Sequence, residues 1–461
     1  MGFALEIVQA DAVARYKKLT GYDVFFNFGT DEHGLKIYRK AQEEGKDPQK
    51  YCDEYAAKFN ALKQALNLSY NSFIRTTDPH HIKAAQEFWQ RCKANGDIYQ
   101  KIYRTKYCVG CELEKTDSEL ENGKCLLHPE NKLEIIEEEN YFFRFSKYQE
   151  PLLEFYEKNP KFVVPESKFN EIKIFVQGGL QDFSISRLKN KMPWGIDVPN
   201  DPKQVMSVWF DALVNYVSAT GWPDDLVKFK KWWPVVQFAG KDNLRQQTAI
   251  WQAMLMSAGL PNSKQIFIHG FITSGGQKMS KSLGNVIDPF EYVDKYGTDA
   301  LRYYLLAKIS PTEDGDFTRE KFEETYNADL ANGLGNLIKR VEALVIQKGL
   351  DLTKLKQARR NRILDEIAPL VNQYRFDEAL KFIWGSIRGL DVYINRERPW
   401  ELDPENANKR LGEIIVGSES LTSLLEIAEA LKPFLPETAE KIEKQFSGPK
   451  IKSAAPLFPR L

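Results

Sequence analysis

Three stripes of apolar residues at helical spacing mark the last third of the chain. Leucine, isoleucine, valine and alanine recur every three or four positions in 334–345, 380–394 and 421–431. That spacing places them on one face of a helix, and such an apolar face has to pack against another element. The sequence therefore predicts an antiparallel bundle of helices from about residue 326 onward.

The earlier part of the chain alternates helical stripes with short apolar runs. Residues 4–19 have helical spacing, and the apolar run at 24–28 predicts a strand after them. Further on, 235–239 and 265–269 predict buried strands, with a helix at 243–257 between them. Strands that alternate with helices form parallel sheets, whose ligands bind beyond the carboxyl ends of the strands.

The predicted helix at 4–19 has no strand before it, although a helix and the strand after it are half of a βαβ unit. We therefore expect the sequence to begin within a fold. Between 100 and 190 the pattern changes to turns and short strand-like runs, at 140–145 and 172–176. This change predicts a separate region between two stretches of α/β alternation.

Composition limits the class of protein. The 461 residues include 64 basic and 64 acidic side chains, so the balanced charge does not by itself indicate a nucleic-acid partner. Length predicts roughly three domains. The apolar runs are short, and Glu6 and Asp11 interrupt the one near the start, so neither a membrane span nor a signal peptide is expected. Five unevenly spaced cysteines favour a reduced, cytoplasmic protein.

Two short knuckles carry residues that bind metals. Cys108 and Cys111 are followed, after thirteen residues, by Cys125 and His128. Two such pairs that converge form a Cys₃His set, which suits a closed tetrahedral zinc site. Because all four positions are then protein ligands, the sequence predicts one structural zinc ion. The alternative is a set of unrelated buried cysteines.

A loop rich in lysine and serine follows the predicted strand at 265–269. It contains Lys278 and Lys281, two serines, and glycines on both sides. Lysine binds phosphate as a point charge, and glycine lets the backbone approach the phosphate closely. A solvated turn is the alternative, but the position after a parallel strand favours a phosphate site.

Two further clusters lie where ligands are expected. Asp31, Glu32 and His33 occupy the turn after the first strand, where a carboxylate can hold an ammonium group; a capping turn is the alternative. Trp209 and Tyr216 lie on a predicted helix, and they line either an apolar pocket or the core.

Together these segments resemble the methionine branch of the class I aminoacyl-tRNA synthetases over nearly the whole chain. Besides the knuckles, the resemblance rests on residues 4–11, 29–34, 140–144, 208–212 and 278–282, the last being the KMSKS signature. KMSKS marks only the class, whereas the knuckle spacing together with the Trp209 segment marks the methionine enzymes.

The resemblance implies an α/β class I synthetase fold. Its parts are a Rossmann-like parallel sheet without its first strand, an inserted connective domain with the zinc knuckle, and a C-terminal all-α anticodon-binding bundle. The implied domains are the first half of the catalytic domain at 1–100, the connective insertion at 101–190, the second half with the KMSKS loop at 191–290, a stem-contact segment at 291–325 and the anticodon-binding domain at 326–461.

The resemblance also implies a reaction, in which L-methionine and Mg-ATP form methionyl-adenylate and the methionyl group passes to tRNA(Met), including initiator tRNA. Lys278 and Lys281 are the implied catalytic residues. The implied ATP-binding residues are Gly2, Gly240, Asp242, Lys278, Met279, Ser280, Lys281 and Ser282. The implied methionine-binding residues are Asp31, Trp209, Ala212, Tyr216 and Gln247. The implied anticodon-binding residues are Asn336, Arg340 and Trp400. The implied cofactors are one structural zinc ion and Mg²⁺ with ATP.

Three departures from the family pattern change these expectations. The H-x-G-H signature is represented by Gly2 alone, with Phe3 at the second histidine, so the first strand and its ATP contacts are expected to be missing. Gln246 and Gln247 stand where the family has a Phe-His pair beside the methionine pocket. No appended OB-type domain is found, so a monomer is expected.

Two alternative functions stay open on the sequence alone. One is a class I synthetase for leucine, isoleucine, valine or cysteine, although the short insertion leaves no room for the editing domain of the first three. The other is a non-catalytic protein that binds tRNA or serves as a zinc scaffold.

Overall fold

The computed structural model describes residues 1–115, 119–279, 285–355, 361–418, 421–448 and 451–461. Its helices are α1 (Gly2–Leu19), α2 (Leu35–Glu43), α3 (Pro48–Ala65), α4 (Pro79–Ala94), α5 (Gln149–Lys158), α6 (Glu166–Gln177), α7 (Val208–Ala212), α8 (Asn215–Ser218), α9 (Leu226–Trp232), α10 (Trp251–Ser257), α11 (Pro289–Tyr296), α12 (Thr298–Ala307), α13 (Arg319–Thr325), α14 (Asn336–Lys348), α15 (Arg362–Asn372), α16 (Phe376–Glu397), α17 (Pro404–Val416), α18 (Leu424–Leu431) and α19 (Pro436–Ser447).

The strands are β1 (Asn27–Thr30), β2 (Ser72–Arg75), β3 (Ile98–Cys108), β4 (Leu113–Lys115), β5 (Leu120–Glu121), β6 (Lys124–Cys125), β7 (Glu134–Phe143), β8 (Val163–Val164), β9 (Phe183–Ser184), β10 (Ser186–Leu188), β11 (Asp197–Val198), β12 (Asp201–Met206), β13 (Val236–Gly240), β14 (Gln265–His269), β15 (Ile272–Ser274), β16 (Gln277–Lys278) and β17 (Gly315–Asp316). Two π-helical segments, Gln246–Ile250 and Tyr326–Gly335, continue directly into α10 and α14.

The chain divides into two compact units. The helical unit, as we name it, consists of Met1–Phe26, Leu62–Ser69 and His269–Leu461. The sheet unit consists of Asn27–Ala61 and Tyr70–Ile268.

Parallel strand pairs organise the sheet unit. β1 lies parallel to β2, and β14 lies parallel to β8 with β13 on its other side. Ile266, Phe267 and Ile268 on β14 are completely buried, as expected for a strand covered on both faces. A long antiparallel pair, β3 with β7, runs to the first knuckle at Cys108. The predicted alternation of strands and helices is therefore present.

Buried apolar stripes organise the helical unit. The predicted stripe at 334–345 is buried along the π segment and α14, and the stripe at 380–394 is buried on α16. The third stripe is helical from Leu424, where Ser423 and Glu426 form a capping box. These helices confirm the predicted helical C-terminal region.

A buried ion pair fixes α1 within the helical unit. Arg302 on α12 is completely buried, and its Nη2 lies 2.8 Å from Asp11 Oδ2. The same guanidinium donates to the carbonyl oxygens of Leu66, Pro433 and Phe434. Because each of these buried groups is hydrogen-bonded, the charge is tolerated in the core.

Two predicted strands need correction. The run at 172–176 belongs to helix α6, where Phe169, Ile172 and Val176 are buried at spacings of three and four residues. Ile174 is 69% exposed, although in a strand it would lie on the same face as the buried Ile172 and Val176. The strand predicted at 24–28 begins at Asn27 instead, where its pairing with Ser72 starts.

In the part of the chain that the structure describes, no helix combines the length and apolar character needed to cross a lipid bilayer.

Candidate functional site

The turn after β1 contains two carboxylates, Asp31 and Glu32, which differ in their exposure to solvent. Glu32 is buried, and Arg75 donates to both of its oxygens, from Nε at 2.7 Å and from Nη2 at 2.9 Å. Asp31 is exposed. The bidentate pair fixes the turn, and it leaves Asp31 as the carboxylate that the turn presents outward.

Surrounding protein and a second carboxylate shift the pKa of Asp31. Burial of the carboxyl group among protein atoms, followed by the charge of Asp211, raises the pKa of Asp31 to about 6, although part of the side chain reaches solvent. His81 and His33 act in the opposite direction. An acidic group with a raised pKa at the end of a strand is typical of a binding site.

A buried network joins this turn to α7; we name it the Asp211 network, and it consists of His33, His81, Asp211 and Ser218. Asp211 is 1% exposed, with Oδ2 2.6 Å from His33 Nδ1 and Oδ1 2.8 Å from His81 Nε2. His81 Nδ1 lies 3.0 Å from Ser218 Oγ on α8. Burial opposes ionisation of Asp211, but the two rings hold its pKa below the ordinary value.

The residues expected to bind an amino-acid side chain lie around α7 and α8. Ala212 is 2% exposed, and Trp209 is half-buried. Gln247 Nε2 donates to Tyr216 Oη at 2.8 Å, and Gln247 Oε1 accepts from Gln237 Nε2 at 2.9 Å. The structure thus brings Tyr216 and Gln247 together, and the amide that departs from the family pattern is held between the buried Gln237 and the half-buried Tyr216.

The four predicted metal ligands form one cluster. The thiol sulfurs of Cys108, Cys111 and Cys125 and a ring nitrogen of His128 all lie within 4.8 Å of one another. Cys111 Sγ is 3.5 Å from Cys125 Sγ and 3.2 Å from His128 Nδ1. These separations fit a tetrahedral ion with metal–sulfur bonds of about 2.3 Å.

A glycine makes room for the histidine of this cluster. A Cβ atom at Gly110 would lie 2.6 Å from the His128 ring, closer than carbon atoms approach. The sequence predicted that these four side chains come together, but it did not predict that position 110 must be glycine to leave room for the His128 ring.

The residues expected to bind ATP are distributed over both units. In the sheet unit, Gly240 ends β13, and Asp242 is exposed in the 3-10 turn that follows. In the helical unit, Gly2 begins α1, and Met279 follows β16. The structure describes the backbone of Lys278 but not its side chain, and Ser280, Lys281 and Ser282 lie outside the described residues.

The hairpin that leads into the lysine loop is tied down by Asp316. Gly275 and Gly276, with φ of 61° and 75°, form the two-residue turn between β15 and β16, and positive φ at both positions favours glycine. Asp316 accepts from Gly276 N at 2.8 Å and from Thr273 Oγ1 at 3.0 Å. These bonds hold the strand on which Lys278 lies.

Two of the three predicted anticodon residues are in contact. The Arg340 guanidinium lies over the Trp400 ring, 5.2 Å from its centroid. Arg340 also donates to Asp391 at 2.9 Å and to Asn395 at 2.6 Å. Asn336 is exposed at the start of α14, one helical turn before Arg340. The three side chains can therefore form a polar and aromatic surface.

Sequence reasoning missed several residues that contact the expected methionine-binding residues or the Asp211 network. It did not identify Asp211, His81 or Gln237, each of which is buried and bonded to a predicted site residue or to another member of the Asp211 network. The available signal was Asp211 itself, an acidic residue between aromatic and small apolar residues on a short helix.

Comparison with known proteins places the chain in a family. The family model described as "tRNA synthetases class I (M)" matches residues 1–125 and 110–342. The methionine–tRNA ligase of Thermotoga maritima is 43% identical over 465 residues, which cover 97% of this chain and 73% of the relative. The methionine–tRNA ligase of Synechocystis is 42% identical, covering 96% of this chain and 86% of the relative.

A solved structure agrees with these relatives. Mycobacterium tuberculosis methionyl-tRNA synthetase in complex with methionyl-adenylate matches with a TM-score of 0.91 and 34% identity, covering 100% of this chain and 96% of that one. The match confirms the predicted class I synthetase fold. The chain therefore belongs to the methionine–tRNA ligases, the methionine branch of the class I tRNA synthetases.

Proposed function

We propose that the chain activates L-methionine with Mg-ATP and transfers the methionyl group to tRNA(Met), including initiator tRNA. The observation that carries this proposal is the hydrogen-bonded connection between the turn of Asp31 and helix α7 with Trp209 and Ala212. It joins a carboxylate suited to an ammonium group to apolar and aromatic side chains suited to a thioether.

Asp31 binds the methionine ammonium group, and Trp209, Ala212 and Tyr216 enclose its side chain. Sulfur–aromatic contacts favour methionine over an aliphatic side chain of similar size. The neutral amide of Gln247 lies beside these side chains. Gln237 donates to its oxygen, and its nitrogen donates to Tyr216, so the orientation of the amide is set.

By motif resemblance, Gly240 and Asp242 bind the ribose of ATP, and Gly2 and residues 278–282 bind its phosphates. The methionine carboxylate attacks the α-phosphorus, and the bond to pyrophosphate breaks. Lys278 and Lys281 stabilise the negative charge that develops there. When it is bound with ATP, Mg²⁺ would supply positive charge that neutralises the phosphates.

Zinc is the metal that the cysteine cluster suits best, because three thiolates and one imidazole match its preferred ligands. With four protein ligands, the ion has no open position, and it would stabilise the knuckle. Cys111→Ser is expected to lower the zinc content, measured by mass spectrometry of the metal, from about one ion per chain to nearly none. Cys92→Ser, a buried thiol outside the cluster, is the matched control.

The tRNA anticodon binds on the surface formed by Asn336, Arg340 and Trp400. An amide and a guanidinium hydrogen-bond the edges of unstacked bases, and an aromatic ring stacks on their faces. We further propose that the protein acts in the cytoplasm as a monomer. Its five cysteines form no disulfide, and sedimentation at micromolar concentration tests the monomer.

Methionine binding and amino-acid-dependent ATP–pyrophosphate exchange test the proposal together. A panel of methionine, leucine, isoleucine, valine and cysteine should support exchange with methionine alone. Asp31→Asn should weaken methionine binding, measured by calorimetry, by about 100-fold, because the ammonium group loses its charged partner. The control is Asp224→Asn, a surface carboxylate paired with Lys83. Equal binding of leucine and methionine, or unchanged affinity in Asp31→Asn, would contradict the proposal.

A further inference from the structure

The short helix α7 depends on contacts outside itself. It contains five residues, Val208–Ala212, and a helix this short has too few internal hydrogen bonds to be stable alone. Its one charged residue, Asp211, is buried and bonds to two other segments. The position of α7, and with it the positions of Trp209 and Ala212, is therefore set by what Asp211 contacts.

The two partners of Asp211 come from different parts of the sheet unit. His33 lies two residues after Asp31 in the turn after β1, and His81 lies near the start of α4. Their side chains are 6% and 0% exposed. Since an ionised carboxylate only accepts hydrogen bonds, both rings must donate to it, and both of its oxygens are used.

We propose that Asp211 is a positioning residue that sets the distance between the ammonium end and the thioether end of the methionine pocket. His33 connects Asp211 to the turn of Asp31, and α7 connects it to Trp209 and Ala212. The inference rests on the proposed function, because it takes Asp31 and Trp209 as the two ends of one ligand site. The Asp211 network then selects methionine partly by length.

The charges around the network support a fixed arrangement. Asp31 and Glu32 face His33 from its own turn, Asp211 faces it from α7, and His81 completes the cluster from α4. Burial opposes a charged His33, but Asp211, through its charge and its hydrogen bond, raises the pKa of the ring above the ordinary value. The bond between the two residues is therefore strengthened by charge.

Variants that retain or remove single hydrogen bonds test the proposal. Asparagine places its Nδ2 close to the position of a histidine Nδ1, so His33→Asn keeps the donor to Asp211 and His33→Leu removes it. Asp211→Asn keeps the shape but can accept from only one ring. We expect His33→Leu and Asp211→Asn to raise the KM for methionine about tenfold with little change in kcat, because a small displacement of α7 misplaces the side-chain pocket.

Substrate selectivity distinguishes a positioning role of Asp211 from a merely structural one, which would leave selectivity unchanged. The ratio of kcat/KM for methionine to that for ethionine, which is one methylene longer, should fall about fivefold in Asp211→Asn and His33→Leu. His33→Asn should keep the ratio and the KM near those of the unmodified protein. Thermal melting of each variant establishes that it is folded, and His81→Gln, which keeps an Nε2-like donor, provides a second rescue variant.

The outcomes separate this inference from the proposed function. If Asp31→Asn retains full methionine affinity, the proposed site itself is wrong. If Asp31→Asn loses affinity while folded His33→Leu and Asp211→Asn keep both KM and selectivity, only the positioning role is overturned. The role is also overturned if His33→Asn loses as much selectivity as His33→Leu.

Discussion

Two hydrogen-bonded pairs of side chains at predicted binding sites differ in their exposure to water. At the proposed methionine site, His33 and Asp211 are 6% and 1% exposed, with 2.6 Å between their bonded atoms. At the predicted anticodon surface, Arg340 and Asp391 are 28% and 44% exposed and 2.9 Å apart. The pairs have similar geometry, but water competes only for the second.

This difference separates a site proposed to hold a small ligand in one place from a surface proposed to receive a large, flexible one. Removing one partner of a buried pair leaves the other partner without water or a counter-charge. The folded protein then loses stability. An exposed guanidinium can exchange a carboxylate for a nucleic-acid base at little cost. The buried pair therefore fixes geometry, whereas the exposed pair remains exchangeable.

The largest expected effect is on stability, and it tests the comparison directly. Asp211→Leu should lower the free energy of unfolding by about 3–5 kcal/mol, because both imidazole rings lose their buried acceptor. Arg340→Leu should lower it by less than about 1 kcal/mol. Urea unfolding followed by circular dichroism measures both. Equal losses in the two variants would show that exposure does not distinguish the pairs.

The next largest effect is on the pH dependence of methionine affinity. Asp31 must be ionised to pair with an ammonium group, and its pKa in the unliganded protein is raised to about 6. Protonation therefore competes with methionine below pH 6, and the dissociation constant should rise about tenfold at pH 5. Above about pH 7 it should be nearly constant. Calorimetry between pH 5 and 8 measures this, and a flat profile would contradict the assignment.

The same shift has a consequence for stability. A folded-state pKa above the unfolded value means that ionised Asp31 is less favourable in the folded protein. At low pH Asp31 is protonated, and this side chain then costs no folding stability. Part of the folding stability is lost as the pH rises through about 6 and Asp31 ionises. Asp31→Asn should therefore be more stable than the unmodified protein at pH 7 but not at pH 4, as measured by thermal melting.

The sequence predicted the features that depend on local spacing. The knuckle residues Cys108, Cys111, Cys125 and His128 were identified because each pair of ligands lies within one short turn. The apolar stripes of α14 and α16 were identified because a helix repeats over a few residues. The run at 172–176 was assigned wrongly, because alternate apolar residues fit both a strand and a helix until Ile174 is seen to be exposed.

The Asp211 network could not be predicted in this way. His33 and His81 are 178 and 130 residues away from Asp211 in the chain, so no local pattern links them. Only the packing of three separate segments brings the rings to one carboxylate. The roles assigned to Asp31, Asp242 and Arg340 stay predictions, because they rest on motif resemblance.

At the predicted anticodon surface, Arg340→Lys should have a moderate effect on aminoacylation. Lysine keeps the charge but lacks the planar fork that bonds two groups at once, so kcat/KM for tRNA should fall about fivefold through the loss of one hydrogen bond. ATP–pyrophosphate exchange, which needs no tRNA, is the internal reference. Arg396→Lys, on an exposed side chain of the same unit, is the matched control. If kcat/KM for tRNA falls equally in Arg396→Lys, Arg340 does not make the proposed contact with tRNA.

Trp400 allows the finest test of how the exposed surface works. Lys348 Nζ donates to the carbonyl oxygens of Trp400 and Leu402, so the backbone should stay in place when the ring changes. Trp400→Phe keeps a stacking face and should lower kcat/KM for tRNA only about twofold, whereas Trp400→Ala removes the face and about 1–3 kcal/mol of stacking. If phenylalanine behaves like alanine, the indole N–H rather than the ring face makes the contact. The surface would then select its base by hydrogen bonding. In that respect it would resemble the Asp211 network, where hydrogen bonds hold the side chains in place.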